Sequence, residues 1–142
     1  MIGLDWHESC LVSVDMSAQS DALKERAMVF SIEILWLIDK LPRTPGGEAV
    51  ARQLARSATS VAANYRAACI CRSRAEFIAK LGLVLEESDE CVYWLELISR
   101  ARFLPQIDLT SLSREAHELR AISGRSVATA RANHSFSKSI TR

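Results

Sequence analysis

Arg56-Ser57-Ala58-Thr59-Ser60-Val61-Ala62-Ala63-Asn64-Tyr65, then the polar junction Arg72-Ser73-Arg74, then Ala75-Glu76-Phe77-Ile78-Ala79-Lys80-Leu81 and on to Trp94-Leu95-Glu96-Leu97, is the run that decides the fold. Before the junction, Val50, Leu54, Ala58, Val61, Tyr65 and Ala68 recur at steps of three or four, which sets them along one stripe of a helix with about 3.6 residues per turn. After it, Phe77, Leu81, Val84, Leu85, Ser88, Cys91, Val92, Leu95 and Ser99 form a stripe of the same kind. Ser73-Arg74-Ala75-Glu76 is a capping box, in which the serine oxygen and the glutamate each satisfy a backbone donor at a helix start. It places the start of the later helix at Arg74. Two amphipathic helices joined by so short a junction pack antiparallel.

Upstream, Thr44 and Pro45 read as the N-cap and first position of the helix that runs to Ala68, a place where the missing proline N–H costs nothing. An earlier helix opens on Ser20 as N-cap, with Asp21 and Glu25 in its first turn favoured by the helix dipole, and runs to about Lys40. Its core stripe is Leu23, Ala27, Phe30, Ile34, Leu37 and Ile38; Met28, Val29, Ile32, Leu35 and Trp36 cover most of the remaining circumference, so it needs burial on more than one side. Leu41-Pro42-Arg43-Thr44-Pro45 ends it, because proline lacks a donor and turns the preceding residue away from helix. Downstream, the third helix runs to about Arg102 and Phe103-Leu104-Pro105 closes it. Asp108 or Thr110 opens a fourth, with the stripe Leu112, Ala116, Leu119, Ser123, Val127 and Ala130. Four helices on short connections make an all-α, antiparallel up-down-up-down four-helix bundle over residues 20–131. Residues 1–19 and 132–142 lack sustained periodicity and read as a flexible N-terminal arm and a disordered C-terminal tail, with Met16 a second candidate start.

The 142 residues, 49% apolar and 25% charged, suit one domain with a real core. A formal net charge of +1 makes no global demand for an anionic partner. Cys10, Cys69, Cys71 and Cys91 occur without a basic and apolar leader, so the thiols are expected reduced and the protein cytoplasmic. No apolar run reaches the roughly 18 residues of a membrane span.

The chemistry-bearing residues are sparse. Cys69-Ile70-Cys71 has no second ligand pair, and His7 with Cys10 is equally short of a zinc pattern. A di-iron bundle needs Glu-x-x-His, whereas His7, His117 and His134 follow Leu4, Arg114 and Arg131 at that spacing. No phosphate loop, nucleophile elbow or zincin motif occurs. The expectation is a protein with no cofactor, no metal and no enzymatic activity.

Two surfaces remain. Arg43, Arg52, Arg56, Arg66, Arg72 and Arg74 share a segment whose one acid is Glu48, a local excess of five positive charges that could hold a phosphate backbone. The competing reading pairs these arginines with Glu86, Glu87 and Glu90 of the third helix, since arginine favours bidentate carboxylate contacts. Val29, Ile32 and Trp36 of the first helix, with Leu83, Trp94 and Leu97 of the third, lie away from the core stripes and form a candidate oligomer interface.

The string Gln53-Leu54-Ala55-Arg56-Ser57-Ala58-Thr59-Ser60-Val61-Ala62-Ala63-Asn64, with Ala75-Glu76-Phe77-Ile78 and Glu87-Ser88-Asp89-Glu90 leading into Trp94-Leu95, resembles the four-helix-bundle family of proteins encoded in 23S rRNA intervening sequences. The resemblance covers roughly residues 20–130. It implies a left-handed bundle protomer that assembles into a ring-like homopentamer, and it implies that Arg56, Ser57 and Asn64 tie the second helix to its neighbours. A related branch is the accessory protein of diversity-generating retroelements, which binds nucleic acid and a reverse transcriptase through a basic surface. Two functions therefore stand side by side: an oligomeric scaffold or adaptor acting through protein contacts, or a ring that binds RNA or single-stranded DNA. The family usually continues with Glu-Gly after the asparagine; here Tyr65-Arg66-Ala67-Ala68 follows, and without the capping glycine the turn into Ser73 is expected to differ in shape.

Overall fold

The computed structural model describes the backbone of residues 6–140 and the side chains of residues 18–133. Four helices follow one another: α1 Trp6–Ile38, α2 Pro45–Ala68, α3 Arg74–Arg100 and α4 Thr110–Ile140. The short connections force each helix antiparallel to the last, giving the up-down-up-down bundle. α2 packs along α3 and α3 along α4; α1 lies on α2 and meets α4 only sparsely, so the bundle is open along one seam.

Local chemistry sets the helix ends. Thr44 is extended (φ −117°, ψ 159°), its hydroxyl accepts from the Gly47 N–H at 3.2 Å, and Pro45 follows at the first position. Gly47 has to be glycine, because a Cβ there would stand 2.0 Å from the Pro42 carbonyl oxygen. Ser73 accepts from the Glu76 N–H at 3.1 Å, and Glu76 answers by accepting from the Arg72 N–H at 3.2 Å, one residue before the position the standard box would use. α2 ends without a left-handed residue: Cys69 caps it in right-handed geometry, and Ile70 and Cys71 tighten onto Ala67 and Ala68. The turn thus takes the glycine-free form that Tyr65-Arg66-Ala67-Ala68 leads one to expect. At the end of α3 the opposite holds. Arg102 adopts φ 53°, the Phe103 N–H reaches Ile98 O at 3.1 Å and the Arg102 N–H reaches Ser99 O at 3.2 Å, a Schellman closure with arginine where glycine is usual.

The expected stripes meet in the core. Ala27, Phe30, Ile34 and Leu37 of α1 face Val50, Leu54, Ala58 and Val61 of α2, with Val84, Cys91 and Leu95 of α3 and Ala116 and Leu119 of α4 completing one cluster. A smaller one, Ala68, Leu81 and Val127, lies where α2 ends and α3 begins. Buried serines let the helices approach closely and are satisfied locally: the Ser31 hydroxyl reaches both Ala27 O and, across to α2, Ala58 O at 2.9 Å, while Ser57, Ser88 and Ser123 bond the carbonyls one turn back.

Three details differ from the sequence reading. α1 begins at Trp6, so Ser20 lies within a helix rather than at its cap, and its hydroxyl instead meets the Cys69 thiol at 3.2 Å. The stretch read as a disordered tail is largely helical in its backbone, α4 running to Ile140, while the side chains of 1–17 and 134–142 lie outside the described residues. On α3 the last core position is Ile98, fully buried, and not the exposed Ser99, because the apolar side chain takes the three-residue step from Leu95.

Candidate functional site

The six arginines singled out from the sequence do not form one surface. α2 has 24 residues and is therefore about 36 Å long; Arg43 precedes its start, and Arg72 and Arg74 follow its end. Between them Arg56 is turned onto α3. Its Nη1 donates to both carboxylate oxygens of Glu87, at 2.9 and 3.0 Å, its Nη2 to Glu90, and its Nε to Gln53 at 3.4 Å. The hydrogen bond to Glu87 holds the guanidinium above its ordinary value. Arg52 stands 3.9 Å from Glu48 on its own helix, both exposed, a pairing of small worth. Arg43, Arg66, Arg72 and Arg74 are exposed and enter none of the ion pairs formed among the described residues. The acidic face of α3 thus neutralises the middle of the basic segment and leaves its ends. Arg56 ties α2 to α3 as the resemblance implies; Asn64 does not reach a neighbour, its amide donating to Ser60 O of α2 at 2.9 Å.

At the end of the bundle where α2 gives way to α3, a groove of about 1160 Å³ opens between these two helices, α1 and α4. Arg72, Ser73 and Arg74 line it together with Arg26 and Arg125, which come from elements far away in sequence and were not legible as a cluster. Arg26 is held by Glu115 at 2.5 and 2.9 Å. The apolar part of the wall is Leu23, Tyr65, Phe77 and Ile122. Cys69 and Cys71 also border the groove, but the Cys71 thiol is turned back to Ala67 O at 3.3 Å. Among the described residues no three His, Cys, Asp or Glu side chains gather as metal ligands.

The apolar residues expected on a second face divide as well. Val29, Ile32, Trp36 and Leu83 are exposed, Trp36 to 65%. Met28 and Leu35 join the α1 set, so one side of α1 presents Met28, Val29, Ile32, Leu35 and Trp36 at helical spacing. Trp94 and Leu97, in contrast, pack against the protomer's own core: Trp94 lies three residues after buried Cys91 and four before buried Ile98, and Leu97 sits between buried Leu95 and Ile98. The Trp94 ring meets Tyr93 edge-on at 4.8 Å, and its indole N–H is buried with no hydrogen-bond partner among the described residues. Exposed Tyr93 takes the place on α3 that the sequence assigned to Trp94.

Among the described residues no helix is long and apolar enough to cross a membrane. No curated protein matches the chain. A crystal structure of a protein with unknown function from the S23 ribosomal protein family of Bacteroides thetaiotaomicron superposes with a TM-score of 0.69 at 29% sequence identity, covering 77% of this chain and 97% of that one. The family model described as 23S rRNA-intervening sequence protein matches residues 21–125, from the middle of α1 to the middle of α4. With its four-helix topology and its Arg56-Ser57-Ala58 string in place, the chain belongs to the 23S rRNA-intervening sequence protein family.

Proposed function

We propose that this protein is a non-enzymatic, homo-oligomeric scaffold in the cytoplasm that assembles through the outer face of α1 into a ring, a homopentamer, and acts through protein contacts. One observation carries the reading: Met28, Val29, Ile32, Leu35 and Trp36 are exposed on a helix whose opposite side is fully used by the core. Fully burying an exposed large aliphatic side chain is worth about 1.5–3 kcal/mol, and the part still to be gained by five partly exposed side chains on one helix favours a lasting assembly over a passing one. The α1 stripe has no copy of itself on α3, where Leu83 and Tyr93 are the exposed large apolar residues. A contact between unlike faces closes into a ring when the rotation allows.

The alternative, a ring binding RNA or single-stranded DNA, rests on Arg43, Arg66, Arg72 and Arg74, since Arg52 and Arg56 already face carboxylates. Light scattering of the whole chain at micromolar concentration tests the first reading. The wild type is expected as a defined oligomer and Trp36→Glu as a folded monomer or dimer, because Trp36 takes no part in the core. A monomeric wild type would end the scaffold proposal. Trp94→Glu is unsuitable as a probe, since it would place a charge against the core.

A further inference from the structure

The end groove carries a local excess of positive charge. Arg72 and Arg74 stand on either side of the α3 cap and Arg125 lines the same groove from α4; among the described residues none of the three enters an ion pair and no Asp or Glu lines the groove. The neighbouring carboxylate, Glu76, is turned to the Arg72 backbone N–H. On other faces of the bundle Arg56, Arg100 and Arg120 are each bound to a carboxylate, as Arg26 is on the groove's own wall, whereas exposed Arg43 and Arg66 enter no ion pair among the described residues. Arg72 and Arg74 at the start of α3 and Arg125 from within α4 line one groove, and like charges sharing a groove favour an anion among them. Their planar forks suit a phosphate group, which offers more acceptor oxygens and more charge than a single carboxylate.

The other wall selects the body of the ligand. Tyr65 and Phe77 are partly buried over the small cluster of Ala68, Leu81 and Val127, leaving aromatic surface beside the arginines. An apolar wall with a few converging polar groups is the ordinary composition of a small-molecule site, and a groove of about 1160 Å³ does not restrict it to a bare anion. We propose that this groove binds a nucleotide, its phosphates held by Arg72, Arg74 and Arg125 and its base against Tyr65 and Phe77. The unit could arrive as a free nucleoside phosphate or as the 5′-phosphorylated end of a strand, and the same contacts serve both. The site lies within one protomer and does not depend on the scaffold reading.

Calorimetric titration of the full chain with ADP, inorganic phosphate and a 5′-phosphorylated ten-thymidine DNA tests it. ADP is expected to bind more tightly than phosphate and to weaken as salt rises. R72Q/R74Q/R125Q should lose at least about tenfold in affinity, in line with the loss of charge-assisted hydrogen bonds, while keeping the wild-type melting curve; its three side chains are exposed, so the fold does not need them. R100Q/R114Q, altered away from the groove, should bind as the wild type does. DNA binding more tightly than ADP, and lost in the triple variant, supports the site with a strand end as its source. No binding of any probe, equal affinity for phosphate and ADP, or equal loss in both variants overturns it. Light scattering of the same samples scores assembly separately, so loss of the oligomer cannot be mistaken for loss of the site.

Discussion

Cys91 sits at the α2–α3 contact with no exposure to water, and burial pushes its thiol up to about 12 from the ordinary 9.0. The adjacent Ser57 hydroxyl opposes that rise, and the carboxylates of Glu87 and Glu90 add to it. The folded chain therefore keeps a proton that the unfolded chain surrenders near pH 9. Stability is whole below that pH and falls as pH climbs from about 9 towards 12, by about 1.4 kcal/mol per unit from this group. Tyr65, raised chiefly by burial, works in the same direction at somewhat higher pH. Urea melts of the wild type and Cys91→Ala between pH 8 and 11 should show the variant less stable at pH 8 but losing less with each unit. Parallel curves would mean that the thiol does not titrate with unfolding. The sequence showed Cys91 on the core stripe. Its isolation from water was not legible, because that depends on Ser57 arriving from another helix.

Helix limits were legible where one residue's chemistry decides them and obscure where tertiary contacts do. Thr44-Pro45 and the Ser73 to Glu76 box announce the starts of α2 and α3, and both caps form. The end of α3 was read two residues late, at Arg102, because a left-handed arginine carries no sequence signal; the Schellman closure is held by Phe103 returning to Ile98. A left-handed L-residue costs about 1–2 kcal/mol, and glycine there gives part of this back through its looser unfolded state. Arg102→Gly should stabilise the protein by about 0.5–1 kcal/mol in a chemical melt, and a destabilised variant would show that the arginine side chain matters more than its backbone strain. The basic surface was the least legible element. Arg43 through Arg74 are neighbours in sequence, yet α2 separates them by its own length, and the cluster that does form recruits Arg125 from α4. Linear charge counting could find the excess; it could not find the place.

For the whole molecule, the packing is uneven. α2, α3 and α4 form a continuous stack, whereas α1 is docked along α2 and scarcely meets α4. Its docked side carries Phe30 and Ile34 into the core, and its outer side carries the exposed apolar row ending at Trp36. A helix bound along one seam is the cheapest part of the fold to open, since fewer contacts are lost when it swings away. Amide hydrogen exchange followed by mass spectrometry should therefore find α1 residues 22–38 exchanging ahead of α3, as a separate cooperative unit. Protection of α1 equal to that of α3 would show that the open seam has no energetic counterpart. The same seam makes α1 a reporter. If neighbouring protomers seat on its outer row, dilution releases α1 before it loosens anything else, and its deuterium uptake becomes a gauge of subunit exchange while the α2–α4 amides stay silent.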